Sequence, residues 1–369
     1  MARFTDLRSD LENICNVKDQ RTLVNRTMNR TMDRIAGFQP WPFYLDEAFF
    51  ATVDDYSTGT ITVANGSTTV TGASTVFTAA MVGRKLRVES EQAYYKISAF
   101  VSATELTLEQ AYQGSLTSGN DYTIYQDEYR LKPNVHIPHL LRQIQNGWAL
   151  SDIDPGDFDL AFPTPVATGD PSISVPIGTR RDVYSTGTVS GTSGATTITG
   201  SSTAWTSVQG LDRGSRIRIG DNVYTVKSVD SATSITIFET LSATVSGTTY
   251  QIFLDNIRVQ LYTIPDAARN IYYRFYRSPD PLVNDYDEPD LPSDWQWLII
   301  TGSLADMWDH KGAMDKSAQA EQKFFAGLNR LKSQYRSVSR VYQRNSQTAG
   351  TRRLQPRFPA GTDIRAHAP

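Results

Sequence analysis

The chain has 369 residues, of which 39% are apolar, and its formal net charge is −3. This length allows two or three domains with ordinary hydrophobic cores, and the charge argues against nucleic-acid affinity over the whole surface. The single cysteine, Cys15, excludes an intrachain disulfide and fits cytosolic synthesis. No uninterrupted apolar run is long enough to span a bilayer.

The first 36 residues carry the apolar spacing of two helices, interrupted near Asn16. The two apolar stripes consist of Phe4, Leu7, Leu11, Ile14 and Cys15, and of Leu23, Met28, Met32 and Ile35. Gly37 is expected to end the second helix, and the prolines on both sides of Trp41 then fix an extended connector. We expect Trp41 to enter a core, most simply one offered by Trp295 and Phe324.

The middle of the chain contains an internal repeat. YSTGTITVANGSTTVTGASTVF at 56–77 matches YSTGTVSGTSGATTITGSSTAW at 184–205, GRKLRV at Gly83 matches GSRIRI at Gly214, and DYTIY at Asp121 matches TYQIF at Thr249. Short runs of alternating Thr, Val and Ile between turn dipeptides are typical of antiparallel hairpins. Each copy therefore predicts a small antiparallel barrel or sandwich with one apolar and one hydroxyl-rich face.

The segment between the two copies is rich in turn residues. Leu140, Leu141 and Ile144 predict one short helix between residues 138 and 146. The acidic run DIDPGDFD superficially matches a calcium loop. Pro155 and the missing closing glutamate spoil that match, so we interpret the run as solvated turns.

The longest helical pattern runs from about Arg277 to Tyr342. The prolines before Trp295 keep that part extended, and Ser293 and Asp294 then predict the start of a helix that ends at the His310-Lys311-Gly312 break. A second amphipathic run completes a predicted helical hairpin, with apolar positions Phe324, Leu328, Leu331 and Tyr335. Just before this region, the alternation in IYYRFY predicts a half-buried strand.

The C-terminal end is basic and lacks periodicity beyond Tyr342. From Lys323 onward there are ten basic residues against one acid, Asp363. The last residues have too few apolar side chains to build a core, so alone they are predicted to be disordered. Leu354 and Phe358 lie among arginines, which favours recognition of another protein over plain phosphate binding.

Two segments together resemble the head-to-tail adaptor (connector, head-completion) proteins of tailed bacteriophages. VNRTMNRTMDRIAGFQPWPF resembles the second helix of that family and the Trp-Pro segment after it. The proline-rich lead-in, the helix with a small central residue, the basic-Gly turn and the long second helix resemble its C-terminal half. The matching residues there are Tyr272, Tyr273, Phe275, Tyr276, Arg277, Pro279, Leu282, Pro289, Leu291, Pro292, Gly302, Ala305, Gly312, Ala320, Phe324 and Leu328. The resemblance implies that the two ends of the chain fold together.

The predicted fold class is α+β, with a helical-bundle core, two inserted and mutually similar antiparallel β-barrel or sandwich modules, and an extended C-terminal arm. The predicted divisions are 1–55 and 263–345 (helical core), 56–131 (first β module), 132–183 (connector with a short helix and strands), 184–262 (second β module) and 346–369 (arm). The expected helical-core residues are Leu11, Met32, Trp41, Trp295, Leu298, Ile299, Trp308, Phe324, Leu328 and Leu331.

The resemblance implies a structural virion protein of the phage neck or tail, assembled in the host cytoplasm. Proteins of this family form a homo-oligomeric ring, usually a dodecamer, that joins the capsid portal protein to the tail. Genomic DNA passes through the ring without sequence recognition, and a nozzle or other tail protein, or tail fibres, binds the opposite side. The implied portal-binding arm carries Arg352, Arg353, Leu354, Arg357 and Phe358. No membrane contact is expected.

The sequence offers little catalytic chemistry. It has no nucleophile elbow and no GxxxxGK[ST] phosphate loop, and Cys15 lies on an apolar stripe, as a core thiol does. His136 and His139 have no neighbouring ligand cluster, and Pro138 distorts their spacing. We therefore predict no enzyme activity, cofactor or metal.

Two alternatives to the adaptor remain open. In the first, a receptor- or carbohydrate-binding tail or fibre protein uses the two β modules while the helices merely trimerise, although the helices lack sustained heptads. In the second, a DNA-packaging or nucleic-acid-binding factor shows an affinity that depends steeply on salt.

Overall fold

The computed structural model describes residues 3–17, 20–89, 91–115, 117–144, 147–179 and 181–335. Within these ranges the chain is an α+β protein. Its helices are α1 (Phe4–Cys15), α2 (Arg21–Phe38), α3 (Pro155–Ala161), α4 (Trp297–His310) and α5 (Met314–Gln334). Its strands are β1 (Leu45–Ala51), β2 (Thr60–Val63), β3 (Thr69–Ala73), β4 (Lys85–Val88), β5 (Tyr94–Ser102), β6 (Glu105–Leu108), β7 (Thr117–Asn120), β8 (Tyr122–Tyr125), β9 (Glu128–Arg130), β10 (Val135–Gln143), β11 (Ser151–Asp152), β12 (Ile173–Thr179), β13 (Asp182–Tyr184), β14 (Thr188–Gly191), β15 (Thr197–Ser201), β16 (Arg216–Ile219), β17 (Asn222–Ser231), β18 (Ser234–Ile237), β19 (Val245–Thr248), β20 (Tyr250–Leu254), β21 (Ile257–Tyr262) and β22 (Asn270–Arg277).

Helices from both ends of the chain share one hydrophobic cluster. α1 and α2 contribute their predicted apolar stripes except for Ile14, which is 52% exposed and was wrongly placed on the buried stripe. α4 packs against α5 and against both N-terminal helices. α1 ends at Asn16, which adopts a left-handed conformation with φ of 51°, as asparagine tolerates. The end of α1 at Asn16 separates two amphipathic helices whose apolar stripes face the same core.

A three-stranded sheet adjoins the helices in the sequence and again joins distant segments. β22 lies between β1 and β10 and pairs antiparallel with both. On β22, Ile271, Tyr273 and Phe275 are buried in one apolar cluster, whereas Arg274 is exposed. The half-buried strand predicted for IYYRFY is therefore present, and the segments predicted to belong to the helical core also contain β1 and β22.

The two repeats have the same strand order. The first forms a seven-stranded sheet in the order β7-β2-β3-β6-β5-β4-β8, and the second an eight-stranded sheet in the order β19-β14-β15-β18-β17-β16-β20-β13. The added strand, β13, corresponds to a single bridge between Tyr56 and Ile124 in the first repeat. Each sheet surrounds its own cluster of buried apolar side chains.

A four-stranded sheet connects the two repeats. Its order is β11-β12-β21-β9, and β9 pairs antiparallel with β21. β9 follows the last strand of the first repeat, and β21 follows the last strand of the second. Both modules are therefore attached to neighbouring strands of one sheet.

The connector differs from its predicted structure. The predicted helix between residues 138 and 146 is wrong, because residues 135–143 form β10, paired with β22. Pro138 is accommodated at a register shift, where a missing backbone donor costs least. The acidic run predicted to be solvated turns instead contains α3, whose first turn is capped by the Asp154 carboxylate accepting from the backbone N–H of Gly156 at 3.0 Å. Asp at the N-cap and Pro155 at the first helical position are helix-start signals that outweigh the turn interpretation.

The start of α4 also differs slightly. Ser293–Trp295 form a 3-10 turn, and the α-helix begins at Trp297 without a side-chain cap among the described residues. Across the described ranges, no helix has the length and apolar character that crossing a membrane requires.

Candidate assembly surfaces

The predicted helical-core residues lie together. Eight are buried in the helical cluster: Leu11, Met32, Trp41, Leu298, Ile299, Phe324, Leu328 and Leu331. Trp295 and Trp308 are partly buried and pack against that cluster. The predicted arm residues Arg352, Arg353, Leu354, Arg357 and Phe358 lie outside the described residues.

Trp41 connects the N-terminal helices to the end of α5. Its indole N–H donates to the backbone oxygen of Ile35 at 2.6 Å, which satisfies the buried polar atom. Its ring stacks on Phe43 at 5.6 Å between centroids and meets the edge of Tyr335 at 6.5 Å. The two ends of the chain are thus held by aromatic contacts as well as by the helix stripes.

Gly302 sets how closely the helices approach. A Cβ placed there would lie 2.5 Å from Cγ2 of Thr31 on α2 and 2.9 Å from Cε2 of Phe324 on α5. Beside it, the hydroxyls of Thr31 and Ser303 lie 3.1 Å apart and form a buried hydrogen bond. The small residue at the centre of α4 therefore permits a three-helix contact.

Arg34 of α2 bridges both C-terminal helices. Its guanidinium donates to the Glu321 carboxylate at 2.5 Å and approaches Asp306 at 3.5 Å. It also lies 4.7 Å from the centre of the Phe324 ring. This partly buried cation, shared by two acids and an aromatic ring, links α2 to α4 and α5.

The proline-rich lead-in is held by polar contacts that the sequence analysis missed. Asn29 donates from its side-chain amide to the backbone oxygen of Leu282 at 2.9 Å and accepts from the backbone N–H of Leu282 at 2.7 Å. Arg277 donates to Asp290 at 2.7 Å, and Asp290 also accepts from the backbone N–H of Asp280 at 3.0 Å. The Asn-Arg pairs of the second helix were the available signal for the first of these contacts.

Several large side chains remain exposed around the helices and the three-stranded sheet. On the helical pair α4–α5, Trp297 and Phe325 are 40% and 43% exposed. On the sheet, Phe49 is 66% exposed and pairs across strands with Tyr272, whose ring lies 4.3 Å from the Arg142 guanidinium. Exposed aromatic and arginine side chains are enriched in the centres of protein interfaces.

The first β module contains a buried charge cluster. The Lys85 ammonium lies 2.8 Å from Asp127 and 3.0 Å from Glu128, and Glu128 also accepts from Arg258 at 2.8 Å. Burial opposes the charge on Lys85, but the two carboxylates outweigh it and raise the pKa of Lys85. Burial likewise raises the pKa of Glu128, but Lys85 and Arg258 outweigh it, so the pKa of Glu128 lies below its ordinary value.

The lowered pKa of Glu128 predicts a pH-dependent contribution to stability. It is fully present above the ordinary glutamate pKa of about 4.3 and is lost as the pH falls through the lower folded-state pKa. The stability difference between wild type and Glu128→Gln should therefore be largest near neutral pH and shrink below pH of about 4. Urea denaturation of both proteins across this range measures it, and a difference that grows on acidification would contradict the assignment.

The metal-binding and thiol chemistry of the described residues is limited by their geometry and burial. Among them, no group of three His, Cys, Asp or Glu side chains could hold a metal ion. Cys15 is buried on α1, and burial raises the pKa of its thiol, although the Lys311 cation opposes this. A thiol with a raised pKa is a poor nucleophile.

The structure packs helices from both ends of the chain in one core and places two repeated β modules between them. Its exposed aromatic side chains are of the kind found in surfaces that bind other proteins. The comparison with family models suggests the class, a structural adaptor of phages. The family model described as SU10 adaptor protein matches residues 176–352, just under half of the chain. This match begins in β12 and includes the second β module, β22 and the α4–α5 pair. A comparison with curated proteins finds no significant match.

Proposed function

We propose that this protein is a head-to-tail adaptor that forms a closed ring between the capsid portal and the tail and continues the DNA channel. The observation that carries the proposal is the adaptor-family match over the same α4–α5 pair that packs with α1 and α2 in one core. A helical unit packed from both chain ends in one core can act as a single body that repeats around an axis. Rings arise when one surface binds a different surface of the next copy and the rotation closes.

The ring is expected to use the exposed aromatic side chains of the helical pair. Trp297 stacks on Trp295 at 6.2 Å between ring centroids and covers the surface at Gly327, yet it keeps a large exposed fraction. Phe325 is similarly exposed. In a closed ring, burial of these side chains against a neighbouring copy would add the apolar contact that the single chain lacks.

Native mass spectrometry and negative-stain electron microscopy of the full chain test the ring. We expect a hollow closed ring of roughly twelve copies. The double variant Trp297→Ser/Phe325→Ser should shift the population toward the monomer. Tyr286→Ser is the control and should leave the ring intact, because Tyr286 is also exposed but lies in the proline-rich lead-in and not on α4 or α5. A monomer or a trimer for the wild type would contradict the proposal, and a trimer would favour the receptor-binding alternative.

Portal docking is assigned to the C-terminal arm, residues 346–369. Its arginines and the apolar residues Leu354 and Phe358 provide both charge and anchors. A ring repeats this contact in every copy, so a weak single contact becomes a strong joint one. Deletion of 346–369 should leave ring formation unchanged and abolish co-sedimentation with portal particles, and retained co-sedimentation would reject this role.

A further inference from the structure

Each β module carries the same pattern of residues on one face of its own sheet. In each, a cation opposite an aromatic residue is followed two positions later by an arginine, on the strands that pair directly with the module's last strand. The first module has Lys85, Tyr125 and Arg87 in these positions, and the second has Arg216, Phe253 and Arg218. The ion pair also recurs, as Lys85 with Asp127 and Arg216 with Asp255.

The matching faces differ in how far they are covered. The Lys85 and Asp127 side chains are 10% and 6% exposed, whereas those of Arg216 and Asp255 are 45% and 34% exposed. Tyr125 is buried, while its counterpart Phe253 is only half-buried. The same kind of surface is therefore closed in one repeat and open in the other.

The closed face is covered by other parts of this chain. Asp127 accepts from the side-chain amide of Gln260 on β21 at 2.9 Å, and Glu128 lies on β9 of the connecting sheet. Arg87 reaches the backbone oxygen of Val166 at 3.5 Å, in the segment shortly after α3. The chain thus already contains a surface, beside α3, that meets a face of this type.

The open face of the second module, here named the arginine face, combines charge with apolar area. It consists of Arg181, Val183, Arg216, Arg218, Val223 and Phe253. Arg181 and Arg216 lie 5.6 and 5.9 Å from the Phe253 ring centre. Val183 and Val223 are 48% and 51% exposed, and Arg218 is exposed.

The arginine face has an excess of positive charge. Asp255 lies 2.5 Å from Arg216 and 3.6 Å from Arg181, and it is the one carboxylate that pairs with these arginines among the described residues. Over the part of the chain that the structure describes, Arg218 has no carboxylate within ion-pair distance. A partner for this face must therefore carry carboxylates beside an apolar group.

The exposed side of α3 has that chemistry. Asp157 and Asp159 are exposed on this helix, and Leu160 is 85% exposed. α3 is anchored from its other side, because Phe158 is buried and packs against Tyr262 at 5.5 Å between ring centroids. The acidic and apolar side chains are therefore held outward by a fixed helix.

We propose that the arginine face binds the α3 surface of a second copy of this chain, with carboxylates of α3 meeting Arg218 and Leu160 packing beside Val223. This inference rests on the proposed function, because a contact between two different surfaces is the kind that propagates around a ring. It assigns the second β module a role in joining neighbours. Within one copy, the segment shortly after α3 contacts Arg87 of the first module; between copies, α3 itself would contact the second module.

Charge reversal tests the contact in the full-length protein. Arg218→Glu and Asp159→Arg should each weaken self-association by roughly tenfold or more, and the double variant should recover much of that loss because the opposite charges are restored. Lys227→Glu is the matched control, since Lys227 is an exposed cation of the same module that lies beside Phe238 and outside the arginine face. Sedimentation velocity measures association, and circular dichroism verifies that each variant is folded.

Cysteine crosslinking locates the contact. Mixing Val223→Cys with Leu160→Cys protein under mild oxidation should give disulfide-linked pairs, and the buried Cys15 should contribute little background. Neither variant alone should crosslink. If wild-type rings form but Arg218→Glu and Lys227→Glu assemble equally well, or if Val223→Cys links to itself, this inference is wrong while the ring stands. If the wild type does not associate at all, the proposed function itself fails.

Discussion

Replacement of Lys85 by methionine is expected to destabilise the first β module by about 3–5 kcal/mol. Methionine keeps most of the side-chain volume, so the loss comes from charge and not from a cavity. Asp127 and Glu128 would remain without their shared cation, and Asp127 is buried. An uncompensated buried carboxylate costs several kcal/mol, because burial removes the water that would otherwise solvate it.

The second repeat provides a matched control for this variant. Arg216→Met removes the equivalent cation from Asp255. The side chains of Arg216 and Asp255 are 45% and 34% exposed, so water can solvate the remaining carboxylate. The expected loss for that variant is therefore about 1 kcal/mol or less. The same chemical change in two similar folds isolates the effect of burial.

Amide hydrogen exchange measures the two losses separately, because it reports on β4 and β8 of the first module and on β16 and β20 of the second. Adding Asp127→Asn to Lys85→Met should recover part of the stability, since the amide removes the charge and can still accept a hydrogen bond. Equal destabilisation by Lys85→Met and Arg216→Met would show that burial does not govern this pair.

The sequence predicted the β modules largely because they are repeated. A repeat marks its own boundaries, and matching Thr-Val-Ile alternation in two copies indicates strands more reliably than one copy does. The difference in burial between Lys85 and Arg216 could not be predicted from the sequence. It depends on the connecting sheet and on the segment after α3, which meet the first module only after the chain has folded.

The helical core was also accessible from sequence, since the stripes of four helices and the position of Trp41 follow from spacing. The connector was not. Leu140, Leu141 and Ile144 suit either a helix or a strand, and pairing with β22 decided the outcome. Asn29 binding the lead-in shows the same limit, because its partner Leu282 lies 253 residues away in the chain.

Gly302→Leu is expected to destabilise the helical core by about 3 kcal/mol. The first added carbon would overlap Thr31 and Phe324, which belong to two other helices, so relief requires α4 to move away from both. Such a movement would also separate the buried hydroxyls of Thr31 and Ser303. The cost therefore combines overpacking with a lost hydrogen bond.

Gly37→Leu is the control, because it makes the same substitution in α2 where nothing lies within 4 Å of the added Cβ. Leucine favours helix over glycine by up to about 1 kcal/mol, so this variant should be neutral or slightly more stable. Thermal unfolding followed at 222 nm reports on both, because α1, α2, α4 and α5 contain nearly all the described helix. If Gly302→Leu melted like Gly37→Leu, the close approach of α2, α4 and α5 would not stabilise the fold, and a single body built from both chain ends would lose its main physical support.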